Sequence, residues 1–176
     1  MLKSDSEATR PEPGTVRLER MMPAPIERVW QYLVDPELRG TWLATGTATP
    51  IPGEEFDLDF DHTRITDEPQ PASGGFTPHH EIGTLLECEA PRLLSYSWGE
   101  WFGPAAVVTM ELEPQGNETR LTITHSRVTQ AEIIPDVATG WTGHLDALED
   151  KLRGGHGEGF WANFDEAHDR YQEAWA

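Results

Sequence analysis

The chain has 176 residues, about one domain's worth, and carries 13 basic against 31 acidic residues for a formal net charge of −18. A surface that acidic repels phosphate backbones and anionic headgroups, so nucleic acid and membranes are disfavoured as partners; only two of the basic residues, Lys3 and Lys151, are lysines. The single Cys88 cannot close an internal disulfide, no apolar run nears the ~20 residues that cross a bilayer, and the polar start MLKSDSEATRPEPG has no leader pattern, which together point to the cytoplasm.

In chain order, residues 1–14 read as a disordered arm, and TVRLERM then alternates as a half-buried strand with Val16 and Leu18 inward and Arg17 and Glu19 outward. A helix follows, with Pro25 in its first turn and Ile26, Val29, Trp30 and Leu33 as its apolar stripe. Asp35-Pro36 stops it and caps a short second helix through Glu37 and Leu38. From Trp42 the period changes to two. Strands are predicted near 42–48, 55–60, 81–89, 92–98, 105–113 and 119–126, separated by Pro52-Gly53, Ala90-Pro91 and Pro114-Gln115-Gly116-Asn117. Residues 66–80, TDEPQPASGGFTPHH, read as a long loop.

The stretch ATGWTGHLDALEDKL then sorts onto two faces of a long helix. Trp141, Leu145, Leu148 and Leu152 form one stripe with His144 beside it, Asp146, Glu149 and Asp150 fall away, and Gly154-Gly155 caps the end. The remaining tail shows a stripe of Trp161, Phe164, His168, Tyr171 and Trp175, which predicts one more helix over 160–175, docked on its own domain or on a second copy. The expected fold is therefore α+β: an antiparallel meander of about seven strands wrapped on a long C-terminal helix, with two short helices after the first strand. Three segments follow from it: the arm 1–14, a main domain 15–153, and a Gly-rich joint with an added helix over 154–176.

PIERVWQYLVDPELRGTWL, EIGTLLECEAPRLLSYSW, ETRLTITHS and GWTGHLDAL, in that order, resemble the family of domains similar to the activator of heat-shock protein 90 ATPase. That family lies within the START-related, Bet v 1-like (SRPBCC) helix-grip superfamily. The resemblance spans about Thr15 to Leu152 and implies a curved sheet gripping the long helix, often with an internal cavity between them. Residues 66–80 and the tail from Gly155 onward depart from the family pattern. Direct chaperone stimulation is not expected, because the eukaryotic activator adds a separate N-terminal domain for which this chain has no room.

Parity points Ala106, Val108, Met110 and Leu112 inward on one strand and Leu121, Ile123 and His125 inward on the next, so His125 faces the helix that carries His144. The aromatic residues Trp42, Phe56, Phe60, Tyr96, Trp98, Trp101, Phe102 and Trp141 read first as packing, yet seven Trp exceed what a core of this size needs. The expected binding set is Trp42, Phe56, Tyr96, Trp98, Met110, Ile123, His125, Trp141, His144, Leu145 and Leu148, walling a pocket for a small hydrophobic or aromatic molecule.

The alternatives are an enzyme of the cyclase or hydratase kind moving a proton through a cavity His, and a protein-interaction domain. No catalytic residue is assigned, and no cofactor. His79-His80-Glu81 lacks metal-ligand spacing, and Asp165-Glu166-Ala167-His168-Asp169 matches a helicase string without the phosphate loop that chemistry requires. Cys88 alternates in step with Ile82, Thr84 and Leu86, which predicts that all four lie on one core-facing side of their strand.

Overall fold

The computed structural model describes residues 7–71, 78–98 and 101–176. Its strands are β1 Val16–Met22, β2 Thr45–Gly46, β3 Glu55–Phe60, β4 His79–Glu89, β5 Leu93–Ser97, β6 Val107–Gln115 and β7 Glu118–Ser126. They make one seven-stranded sheet in the order β1-β7-β6-β5-β4-β3-β2, and every neighbouring pair is antiparallel. From β2 to β7 the chain meanders strand by strand. The helices α1 Ile26–Val34 and α2 Pro36–Gly40 carry it from the β1 edge to the opposite β2 edge, so the last strand returns beside the first.

Local chemistry sets these elements. α1 buries Ile26, Val29, Trp30, Tyr32 and Leu33 at helical spacing, and Asp35 ends it and caps α2 by accepting from the backbone N–H of Glu37 and Leu38. Between them and β2 the chain wraps a buried cation. The Arg39 guanidinium donates to the carbonyls of Ala44, Leu33 and Thr47 at 2.9, 3.2 and 3.0 Å, and lies 5.0 Å over the Phe56 ring. The predicted strand 42–48 is thus reduced to Thr45–Gly46, because Trp42 to Ala44 are drawn around Arg39.

The long helix α3, Ile134–Leu152, starts a turn before the predicted stripe, with Pro135 in its first turn. It is buried on more than one side: Trp141, Leu145 and Leu148 belong to the core over the sheet, while Thr142 and Gly143 meet α4, Phe160–Trp175. The two faces expected of it are modified accordingly. Asp146 does not simply face solvent but pairs with Arg20 of β1 at 2.6 Å, and Asp150 accepts from the Gly157 N–H at 2.7 Å. Arg20 shares the inward parity of Val16 and Leu18 and is buried with them.

α4 docks on its own chain through Phe160, Trp161, Phe164, Ala167 and Tyr171, so the aromatic stripe is used internally rather than for a second copy. His168, expected on that stripe, is exposed beside Asp136 and Asp169, and Ala167 takes the buried place on the helix. The arm is also partly ordered. Thr9 bridges to Arg17, the Ala8 N–H donates to the Tyr171 hydroxyl at 2.9 Å, and the Arg10 guanidinium lies over Trp175. Composition missed this because the arm's partners come from α4, at the other end of the chain. Residues 1–6 and the middle of the predicted loop, 72–77, fall outside the described residues, while the loop's last two, His79 and His80, open β4.

β4 also corrects the predicted face. Its pairing with β5 shifts register between Leu85 and Glu87, so Leu86 is the extra residue of a bulge. Side-chain parity flips there: Leu85 and, beyond the bulge, partly buried Cys88 turn inward, whereas Ile82 and Leu86 are exposed at 51% and 43%. Gly83 is where the backbone comes closest, since a Cβ there would lie 1.8 Å from the Ser97 carbonyl oxygen.

Two glycines of α3 give opposite expectations. A Cβ at Gly140 meets nothing within 4 Å, whereas one at Gly143 falls 2.8 Å from the Phe164 ring. Gly140→Ala should therefore stabilise by about 0.5–1 kcal/mol through helix propensity, and Gly143→Val should destabilise by about 1–3 kcal/mol by prising α4 from α3. Urea unfolding of both variants checks the signs, and equal effects would show that α4 does not rest on the α3 backbone.

Candidate functional site

Pairing aligns one row of side chains across the inner face of the sheet: Leu85, Tyr96, Val108, His125 and Val16, on β4, β5, β6, β7 and β1. All five are buried. The next row, Leu94, Met110, Ile123 and Leu18, is wholly apolar. Tyr96 and His125 are thus the polar members of an apolar surface, two strands apart and separated by Val108.

Trp141 comes down from α3 and donates from Nε1 to His125 Nδ1 at 3.1 Å. Trp98 stacks on the imidazole at 5.6 Å between centroids, Phe102 meets it edge-on at 4.8 Å, and Trp98 meets Trp141 edge-on at 5.6 Å. Phe56 lies 4.8 Å from Tyr96. Within this aromatic surround His125 Nε2 and the Tyr96 hydroxyl are buried, and neither has a hydrogen-bond partner among the described residues. Each such group costs about 1–3 kcal/mol if it stays unpaired.

A second group lies beyond Phe60, which is 5.5 Å from Trp98. His144 hydrogen-bonds through Nδ1 to the Trp42 carbonyl at 2.7 Å, and Trp42 Nε1 donates in turn to the Tyr32 carbonyl at 2.8 Å. His62, Phe60 and Phe160 surround the His144 ring at 5.4, 6.4 and 6.0 Å. The two histidines predicted to share a site therefore lie in adjoining clusters of aromatic side chains. Leu145 and Leu148 are fully buried in the core. Trp101 is not part of this interior; it is 68% exposed.

Sequence reasoning passed over His62 and the α4 residues Phe160 and Trp161, which approach His62 at 5.8 and 5.4 Å. His62 sits in a single 3-10 turn, His62–Arg64, that leaves no periodic signal. His79 and His80 point apart, as adjacent strand residues must: His79 stacks on Phe60, and His80 hydrogen-bonds Asp59 on the outer side. Among the described residues no cluster of three metal-ligating side chains occurs. A groove of about 430 Å³ on the outer face of the sheet is lined by Arg17, Glu19, Arg120, Glu113 and their neighbours. Its charges are paired with one another, Arg120 reaching Glu19 at 3.4 Å and Glu113 at 3.1 Å, which marks a solvated face.

With this geometry in view, residues 23–153 match the model of the Activator of Hsp90 ATPase homolog 1-like protein family. The chain belongs to that family. The match begins just after β1 and ends with α3, leaving α4 outside it. A solution structure of a Bordetella parapertussis protein is similar over 96% of this chain and 90% of its own, with 38% identity and a TM-score of 0.80. CalU16 from Micromonospora echinospora, 22% identical, covers 96% of both chains with a TM-score of 0.70, a likeness of fold. A Mesorhizobium loti protein, 26% identical, is similar over 80% of this chain and 96% of its own with a TM-score of 0.62. No curated protein matches the chain. The match to the family model and the topology together place it in the helix-grip superfamily. No helix among the described residues is long and apolar enough to cross a membrane.

Burial pushes the His125 imidazole down to about 3. Burial, with the His62 charge next, pushes His144 down to about 3 against the hydrogen bond to Trp42; burial and His79 push His62 down to about 4 against Asp61. The folded state thus holds three neutral rings that the unfolded chain protonates below its ordinary value of 6.5. Their contribution to stability is complete above that value and is lost as pH falls, down to about 4 for His62 and about 3 for His125 and His144, at about 1.4 kcal/mol per pH unit for each ring within its window. The carbon-bound proton resonances of His125 and His144 should accordingly stay at their neutral positions from about pH 7 to about pH 5. Movement of either with a midpoint near the ordinary value would show a ring open to water.

Proposed function

We propose that the chain binds a small apolar or aromatic molecule between the sheet and α3. The observation that carries the reading is the pair of buried, unpartnered polar atoms, His125 Nε2 and the Tyr96 hydroxyl, on one row of the inner face whose other members, Leu85, Val108 and Val16, are apolar. Buried polar groups in folded proteins are ordinarily satisfied, and a small molecule with an apolar body and few polar atoms supplies what these two lack while covering the surrounding rings. The helix-grip fold supports the reading, since proteins of this architecture commonly hold hydrophobic molecules between sheet and helix. Trp42, Phe56, Trp98, Trp141, Met110, Ile123, Leu145, Leu148 and His144 supply the walls in this proposal.

Trp98 and Trp141, beside His125, provide the signal for a test. Titration with naphthalene, followed by tryptophan emission, should give saturable quenching near one molecule per chain and a higher melting temperature. A native mass spectrum of the purified protein should in addition show a co-purifying small molecule. Emission that changes only linearly with added naphthalene, together with an unliganded mass, would defeat the proposal.

A further inference from the structure

We infer that the molecule held here is an aromatic carbonyl compound, whose oxygen accepts hydrogen bonds from His125 Nε2–H and the Tyr96 hydroxyl, so that His125 is a positioning donor and not a general base. The inference rests on the binding proposed above and adds the chemical class of the ligand.

The indole N–H of Trp141 can only donate. Because it donates to His125 Nδ1 at 3.1 Å, that nitrogen holds a lone pair, and the proton of the neutral ring sits on Nε2. The atom left without a partner is therefore an N–H, and it needs an acceptor. Trp98 and Phe102, against the ring, offer faces and edges but no acceptor atom in the ring plane. A general base needs a free lone pair aimed at the substrate proton, and here the available lone pair is already taken by Trp141.

Tyr96 adds a second donor from the same face. Its hydroxyl is fully buried, and burial raises its pKa against the opposing Arg39 charge, so it stays protonated. Arg39 contributes a positive field beside Tyr96, while its own N–H groups are committed to the carbonyls of Ala44, Leu33 and Thr47. Two donors and a nearby cation select for a partial negative charge on the ligand. The flat rings of Trp98, Phe56 and Trp141 select for an aromatic body. A ligand presenting only N–H groups could at most donate to the Tyr96 oxygen and would leave His125 Nε2–H unpaired.

The test uses the full chain and three probes of one shape: acetylnaphthalene, ethylnaphthalene and aminonaphthalene, followed by tryptophan emission. Acetylnaphthalene should bind about tenfold more tightly than ethylnaphthalene, and aminonaphthalene no better than the hydrocarbon. Tyr96→Phe should reduce that preference about threefold or more without weakening ethylnaphthalene. His125→Leu should reduce it likewise, and His125→Gln, whose amide can donate from a similar position, should restore part of it. Nitrogen NMR of the unsubstituted protein gives an independent reading: His125 should show Nε2 protonated and Nδ1 unprotonated. Equal affinity for acetylnaphthalene and ethylnaphthalene would overturn the carbonyl inference while leaving the binding proposal standing. Saturable binding of none of the three would overturn both. A proton found on Nδ1 would overturn the donor role directly, even if the variants did not fold.

Discussion

The burial of α3 between two partners is the constraint on which the rest of the structure depends. A helix covered on one side needs one apolar stripe; this one lies against the sheet through Trp141, Leu145 and Leu148 and beneath α4 at Thr142 and Gly143. Its polar side chains must then find partners inside the protein. Thr139 donates to the Pro135 carbonyl, Thr142 hydrogen-bonds the Tyr171 hydroxyl, His144 bonds the Trp42 carbonyl, and Trp141 donates to His125. The first of these stays within the helix, while the other three tie α3 to α4, to the segment after α2 and to β7, so together they fix its position along and around its own axis. Close approach of α4 follows from Gly143, where the Phe164 ring occupies the space of a side chain.

The molecule admits charge to its interior only where backbone or a specific partner receives it. Arg39 is buried with no ion pair among the described residues, and its guanidinium is spread over carbonyls from Leu33 to Thr47. That arrangement closes the segment between α1 and β2 around one cation, and it stands in for the strand that hydropathy alone would place there. Arg20 is handled differently, by Asp146 of α3 at 2.6 Å with Glu149 at 3.9 Å. Burial holds the Asp146 carboxyl above its ordinary range despite Arg20 beside it. Breaking this pair from one side leaves a buried charge behind, which makes it a strong lock on helix position.

Within this frame the Tyr96 and His125 row has a distinct character. Most of the other polar contacts named here are satisfied by groups of the same chain and hold the fold; in the Arg20–Asp146 pair, Arg20 Nε and Nη2 and Asp146 Oδ2 are also without a hydrogen bond among the described residues, but that pair is joined by charge. The two atoms on this row are held in place by Phe56, Trp98, Phe102 and Trp141 and yet have no counterpart among the described residues. Trp141 fixes the tautomer of His125 before any ligand arrives, so its donor is preorganised.

The sequence by itself determined what depends on neighbours a few residues apart. Period two placed Val108, Met110, Ile123 and His125 on the inner face, period 3.6 placed Trp141, Leu145 and Leu148 on one helix, and Asp35-Pro36 marked the break between α1 and α2. Ordered motifs carried the family and with it the topology. Tertiary structure alone decided what depends on distant residues meeting. The bulge at Leu86 inverted a face that alternation placed wrongly, because pairing with β5 and not local parity sets it. The order of residues 7–14 depends on Tyr171 and Trp175, far along the chain. His62 joined His144 through a short turn without periodicity, and Asp146 turned toward Arg20 because β1 lies beside it. The proton on His125 was decided in the same way: one ring nitrogen accepts from a tryptophan sixteen residues on, and only the packing of α3 against β7 brings the two together.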